Sequence, residues 1–345
     1  MFRHLALSAI LTAASAACVS AQAPKEVRML VGYAAGGGYD AYARIVAQHL
    51  GRHLQDSPTI VVQNMPGADG LTVANYMFTR APKDGSVIAL TNRNIAVAPT
   101  LGLIEPKNVQ YKADQFYWLA NFNAEVSVIV ARSDSKITSI EDLKKRPLLV
   151  GSTGLTSNNA IYPYVTNNLV GTKLKVITGY PGTSHIVLAL ERGEIEGIGG
   201  WAWSSIAVQR PTWIKDKFIV PLLQLALEKH PDLGNVPSIT DFASSNEDRL
   251  ALRLIFAPEA MGRPFFGPPG MDPASGEALR KAFAAVVVDP EFIVSSNKAK
   301  LDVSFLDGKS LQALVTDLSQ VTPGAVARAK ELTQRGQTEV DEKRK

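Results

Sequence analysis

Val27-Arg28-Met29-Leu30-Val31-Gly32-Tyr33-Ala34-Ala35-Gly36-Gly37-Gly38-Tyr39-Asp40 holds the fold in miniature. Its first seven residues are a short, mostly apolar run, the pattern of a strand covered on both faces of a parallel sheet. Three consecutive glycines then let the backbone turn tightly. Beyond them Tyr42, Val46, Leu50 and Leu54 recur at four-residue steps, with Ile45 and Ala47 alongside, which predicts a helix over 40–54. Strand, glycine turn and helix make one α/β unit. The same grammar continues with strands over 59–63 and 86–90 around a helix over 71–78. It restarts after residue 124. Strands are expected over 126–131, 148–151, 174–177, 195–198 and 218–225. A short helix opens at Ser139, with Asp142 at the capping-box spacing. Longer helices follow over 158–169, where Pro163 clouds the first turns, and over 184–192. Helices over 273–288 and 310–335 close the pattern. Repeated units of this kind argue for an α/β fold with parallel sheets.

Composition agrees. The chain has 345 residues, 46% hydrophobic and 20% charged, with 26 Gly and 20 Pro, so it is neither low-complexity nor disordered. Its 36 basic residues nearly balance 32 acidic ones. That excludes the charge excess of a nucleic-acid binder and leaves room for a partner that is a small anion.

The N-terminus reads as an export signal over 1–21. Arg3 supplies a short positive region, Leu5 to Ala17 an apolar one, and Val19-Ser20-Ala21 a small-residue cleavage site. Cys18, the single cysteine, follows Ala16-Ala17 as in a lipidated segment, but Ser15 stands where a branched apolar residue is preferred. Cleavage after Ala21 is therefore expected, with lipid anchoring as the lesser alternative. No other apolar run approaches the ~18 residues of a membrane span.

The chemistry-bearing residues cluster at strand ends. The loop Gly36-Gly37-Gly38 opens a helix whose free N–H groups and positive dipole end suit an anion, and a side chain at Gly37 is expected to crowd it. Gly36-Gly37-Gly38-Tyr39-Asp40-Ala41 formally matches a dinucleotide fingerprint, but Asp40 puts a carboxylate where pyrophosphate would sit, and Asn64 replaces the acidic ribose ligand. Asn64-Met65-Pro66-Gly67-Ala68 is a second glycine turn, and Gly151-Ser152-Thr153-Gly154 a third. Tyr33, Tyr39, Tyr180, Trp201 and Trp203 fall at strand ends or just beyond, where rings could stack on a ligand. His49 and His53 stand four residues apart without the Glu or third ligand of a zinc site, so they read as solvated helix-face residues. No G-x-S-x-G nucleophile is present. No cofactor is expected.

Residues 28–90 resemble the N-terminal signature of the Bug substrate-binding proteins of tripartite tricarboxylate transporters. The carriers are Ala35-Gly36-Gly37-Gly38-Tyr39-Asp40-Ala41-Tyr42-Ala43-Arg44, then Val62-Gln63-Asn64-Met65-Pro66-Gly67-Ala68, then Ala81-Pro82-Lys83-Asp84-Gly85. A weaker match runs from Val126 to about Asp302 and includes Gly151 to Gly154, Gly179-Tyr180-Pro181-Gly182 and Leu188 to Ile195. The resemblance implies a monomeric periplasmic receptor of two α/β lobes, with lobe 1 at 22–124 and 258–335, lobe 2 at 125–257, and a polar tail at 336–345. Its implied partners are a small carboxylate and integral-membrane transporter subunits, with no nucleic acid. The matching positions imply ligand contacts at Gly36, Gly37, Gly38, Asp40, Asn64, Gly67, Ala68, Ser152, Thr153 and Gly154. The aromatic residues Tyr33, Tyr39, Tyr180 and Trp201 add the expectation of a bulky or aromatic ligand. Asp69 departs from the family, which usually has glycine there. A sensory receptor, or an exported enzyme using Asp40 and His185, are the alternative functions.

Overall fold

The computed structural model describes residues 25–335. The first lobe opens with β1 (Glu26–Val31), α1 (Gly38–Leu50), β2 (Thr59–Asn64), α2 (Leu71–Thr79), β3 (Val87–Leu90) and β4 (Tyr117–Asn121). The chain then builds a second lobe from β5 (Ser127–Arg132), α3 (Ile140–Lys145), β6 (Leu148–Ser152), α4 (Asn158–Val170), β7 (Leu174–Thr178), α5 (Thr183–Arg192), β8 (Gly197–Ala202), α6 (Trp203–Gln209), β9 (Ile219–Leu225) and α7 (Asn246–Phe256). It returns with β10 (Pro264–Gly267), α8 (Pro273–Val288), α9 (Pro290–Lys298), β11 (Leu306–Asp307), α10 (Gly308–Leu318) and α11 (Pro323–Thr333).

The first sheet has the order β11-β4-β10-β3-β1-β2 and the second β7-β6-β8-β5-β9. β1 pairs in parallel with β2 and β3, in a register that sets Val31 beside both Asn64 and Leu90. The three strand ends therefore reach the cleft level together. β10 inserts antiparallel between β3 and β4, so the returning chain is locked into the first sheet. In the second sheet β6 runs parallel to β7 and β8, while β5 is antiparallel to β8 and β9. Pro221 has no N–H for a ladder and sits in β9, an edge strand, where the pairing with β5 shifts register.

Two local features decide how closely the layers meet. Pro163 lies inside α4 without ending it, and its ring packs over Gly199 of β8. A Cβ on Gly199 would stand 2.4 Å from the Pro163 ring. Gly200, at φ +131°, lets the strand pass under the start of α4, and a Cβ there would lie 2.6 Å from the Asn158 carbonyl oxygen.

The structure departs from the sequence expectations in three places. The helix expected over 310–335 is two helices, because Pro323 begins a new one capped by the Thr322 side chain. That second helix, α11, packs on α4 and α7 of lobe 2, whereas the sequence placed 258–335 wholly with lobe 1. Its Ala325, Ala329 and Leu332 are buried, and Asn168 of α4 donates to the Leu332 carbonyl at 2.8 Å. His49 and His53 are not free helix-face residues: His49 is buried, packs edge-on against Phe292 and meets Ser295 at 3.1 Å, and the half-buried His53 meets Asp289 at 2.8 Å, which docks the end of α1 and the turn after it against α9. The expected signal segment and polar tail lie outside the described residues.

Candidate functional site

The glycine loop after β1 is held by its own residues. Asp40 accepts from the Gly36 amide, Arg44 Nε and Asn64 Nδ2, each at 2.9 Å, and Asn64 Nδ2 also donates to the Tyr33 carbonyl at 2.9 Å. Burial alone would raise the Asp40 pKa, but these three partners outweigh it and hold the carboxyl below its ordinary value. Asp40 and Asn64 thus fix the loop to the end of β2. Tyr33 and Tyr39, on either side of the glycines, stack at 4.9 Å. Gly38 is the tight point: a Cβ there would lie 2.1 Å from Ser205 Oγ and 3.1 Å from an Arg263 nitrogen.

Two arginines underlie the cleft, each buried with a glutamate. Arg93, just beyond β3, meets Glu259 at 2.5 Å and Ser127 at 3.0 Å. Glu259 also accepts from Asn158 Nδ2 at 3.0 Å and from the Tyr162 hydroxyl. Burial pushes the Glu259 pKa up to about 7, against the pull of the Arg93 guanidinium and the Tyr162 hydroxyl. Arg263, at the return crossing, lies between the rings of Tyr39 and Tyr42 at 4.8 Å from each. It meets Glu125 at 3.2 Å and donates to Ser204 at 2.7 Å and Ser205 at 3.1 Å. Both pairs join residues of the two lobes to the crossings between them, so they define the hinge side of the cleft.

The opposite side is closed by Asp69. Ala68 and Asp69 both have positive φ, 44° and 55°, a backbone cost that turns the Asp69 side chain toward lobe 2. Its carboxylate accepts from Tyr33 at 3.0 Å and Asn92 at 2.9 Å in lobe 1, and from Thr153 at 2.6 Å and Thr156 at 2.9 Å in lobe 2. Burial raises its pKa to about 6, although all four donors favour the charged form. A Cβ on Gly154 would stand 2.9 Å from the Asp69 Cβ, so the two loops are in van der Waals contact.

Between hinge and latch lies an open cavity with about 460 Å³ of free space, solvent at its mouth included, of which about 50 Å³ admits the centre of a water molecule. The starts of three helices line it: Gly38 and Tyr39 of α1, Asn158 and Asn159 of α4, and Thr183 of α5. None of the three is capped by a side chain of its N-cap residue, so the amides of their first two residues keep their donor capacity, while the third amides of α4 and α5 turn back to the Ser157 and Gly182 carbonyls, and the positive dipole ends converge. Tyr33, Trp201, Arg93, Arg263 and the amide of Asn92 complete the wall. Such a cavity binds an anion and orients it with side-chain donors.

The residues singled out from sequence fall into three groups. Tyr33, Gly38, Tyr39, Thr153 and Trp201 line this cavity. Gly67, Ala68 and Tyr180 line an adjoining recess that shares Tyr33 and Thr153 with it. Gly36, Gly37, Asp40, Asn64, Ser152 and Gly154 line neither. Asp40 and Asn64 tie the loop, Gly154 abuts Asp69, and Ser152 bonds to Ser157 at 2.8 Å and to the Gly154 carbonyl at 2.9 Å. His185 is exposed and lines neither space. Sequence reading missed Arg93, Asn158, Asn159, Thr183, Ser205 and Arg263. A signal existed for the first: Thr91-Asn92-Arg93-Asn94 is a wholly polar run directly after the buried strand Val87–Leu90.

Comparison with known proteins follows the same lines. The model of the tripartite tricarboxylate transporter family receptor matches residues 42–332. A UPF0065 protein of Bordetella pertussis is 28% identical over 300 residues, covering 85% of this chain and 86% of that protein. The structure of the periplasmic binding protein BugD superposes with a TM-score of 0.71 at 21% identity, covering 90% of this chain and 99% of that one. MatC from Rhodopseudomonas palustris with bound malate gives 0.68 at 17% identity, covering 90% and 99%. At these identities the two structures establish the two-lobe fold.

Proposed function

The chain belongs to the tripartite tricarboxylate transporter receptor family and is a solute-binding receptor, and on that premise we propose that it works outside the cytoplasm, captures a small carboxylate between its lobes and delivers it to integral-membrane transporter subunits. The observation that carries this reading is the meeting of three helix starts, none with a side-chain cap, on one cavity. A carboxylate seated there accepts first-turn N–H groups from both lobes at once. Binding therefore favours the closed arrangement, by as much as the ligand prefers it over the open one. The malate in MatC supports a carboxylate as the ligand class. The expected export signal over 1–21 fits a periplasmic receptor. Binding without turnover is supported by the site itself. Asp40 is tied to Arg44 and Asn64, and neither it nor His185 lines the cavity.

A thermal-shift screen of the protein from residue 22 onward, against mono-, di- and tricarboxylates, tests the reading. A ligand at ~100 times its Kd adds about 2.7 kcal/mol of stability. A clear shift, with the ligand recovered chemically unchanged, is the expected result. No shift with any carboxylate, for a folded and ligand-free sample, would overturn it.

A further inference from the structure

The cavity has unused hydrogen-bond donors but little unused positive charge. Among the described residues, Arg93 and Arg263 are the only charged ones lining it, and each is neutralised by a buried glutamate, at 2.5 Å and 3.2 Å. Asp69, 8% exposed, adds a third carboxylate at the edge of the same space and takes up the hydroxyls of Tyr33 and Thr153. Two cations thus face three carboxylates. The three helix starts contribute about half a positive charge each, which leaves a surplus of about half a positive charge, room for one further negative charge but not for two. Asp40, in the first turn of α1, is offset by Arg44 at 2.9 Å and does not alter the count. Yet three buried N–H groups on lining residues have no acceptor among the described residues: Arg93 Nε, Arg263 Nε and the indole nitrogen of Trp201. A buried donor left unpaired is costly, about 1–3 kcal/mol, and such groups are normally satisfied.

We propose that the ligand is a monocarboxylate whose far end carries an uncharged acceptor, such as an amide, keto or hydroxyl oxygen, and that the receptor rejects the dicarboxylate of the same length. The inference rests on the carboxylate-receptor reading above. The single carboxylate takes the helix starts. The neutral oxygen takes the N–H groups left on the arginine and tryptophan side, where Glu259 and Glu125 already take up the charges of Arg93 and Arg263 and a second carboxylate would have no counter-ion of its own. Asp69 already holds the lobe-bridging hydroxyls that a second carboxylate would need.

Matched pairs of diacid and half-amide test this by isothermal titration at pH 8: succinate with succinamate, glutarate with glutaramate, adipate with adipamate. Each pair differs in charge but hardly in shape. The expected result is binding of the half-amide of the fitting length, with its diacid at least tenfold weaker and the plain alkyl monocarboxylate of that length also weaker. In Trp201→Phe, which keeps a ring and removes the N–H, the preference for half-amide over alkyl acid should fall several-fold. The pairs are read on the wild-type protein, so the outcome does not depend on the variant folding. A diacid that binds as tightly as its half-amide or tighter overturns the inference and leaves the carboxylate receptor standing. Half-amide and alkyl acid binding equally overturns the acceptor. Failure of every carboxylate overturns the underlying reading as well.

Discussion

Replacing Glu259 by glutamine should change how stability depends on pH more than it changes stability itself. In the folded protein burial pushes the Glu259 pKa up to about 7, against an ordinary value of 4.5. The folded state therefore holds a proton that the unfolded state has released across this window. Stability contributed by the group is fully present below pH ~4.5 and is lost as pH rises through ~7. The loss totals about 3 kcal/mol, at 1.36 kcal/mol for each pH unit of separation. Glutamine cannot titrate, so the wild type should lose about 3 kcal/mol relative to Glu259→Gln between pH 4.5 and 8. The site tolerates the amide. One carboxylate oxygen takes the bonds from Arg93, Asn158 and Tyr162, while the other meets only the Ser127 hydroxyl at 3.4 Å, which can rotate to accept. Urea unfolding of both proteins at pH 4.5, 6 and 8 reads the difference directly. A pH-independent gap would refute the reasoning. So would a gap of opposite slope, since it would mean that the Arg93 ion pair, not burial, sets the titration.

Three further outcomes follow from packing. Gly38→Ala should cost about 1–3 kcal/mol by overpacking against Ser205 and Arg263, while Gly37→Ala, whose Cβ meets nothing closer than 4.0 Å, should cost far less; thermal unfolding of the two variants distinguishes them. Gly199→Ala should destabilise by a similar amount, because its methyl meets the Pro163 ring at 2.4 Å, and a wild-type urea midpoint would contradict the account of α4 on β8. Leu332→Ala should cost about 2–5 kcal/mol, and hydrogen exchange should then rise in α4 and α7; exchange confined to α10 and α11 would contradict the docking of α11 on lobe 2.

Much of the fold was legible because its signals are local. The run Val27 to Val31, the glycines after it and the apolar stripe of α1 need no distant partner to be read. The Ser139–Asp142 cap was also visible, and the structure has the Asp142 amide donating to the Ser139 hydroxyl at 3.2 Å. What escaped depends on chain segments far apart in sequence. α7 was not read as a helix, because Glu247, Asp248, Arg249 and Arg253 dominate its composition, yet Ala251, Leu252, Leu254 and Ile255 are buried. Tyr117–Asn121 was not read as a strand, because both of its neighbours in the sheet, Pro264–Gly267 and Leu306–Asp307, come from far along the chain. The cavity shows the same limit. Tyr33, Gly38, Tyr39 and Thr153 follow strands that could be seen, whereas Arg93 and Arg263 are 170 positions apart and acquire meaning only through their glutamates. Crowding was expected at Gly37, but the neighbour that makes a glycine necessary is Ser205, and it reaches Gly38.

The docking of α11 bears on the order in which the molecule can be completed. A chain emerging from its N-terminus lays down every strand of the second sheet by Leu225, but the apolar face of α4 and α7 waits for Ala325, Ala329 and Leu332, about a hundred residues later. Between those two moments the middle of the polypeptide is secondary structure without a finished core, a species prone to sticking to others of its kind. Maturation is thus tied to arrival of residues 323–333, and the binding cleft, whose α4 wall rests on that helix, becomes rigid only when nearly all of the chain is in place.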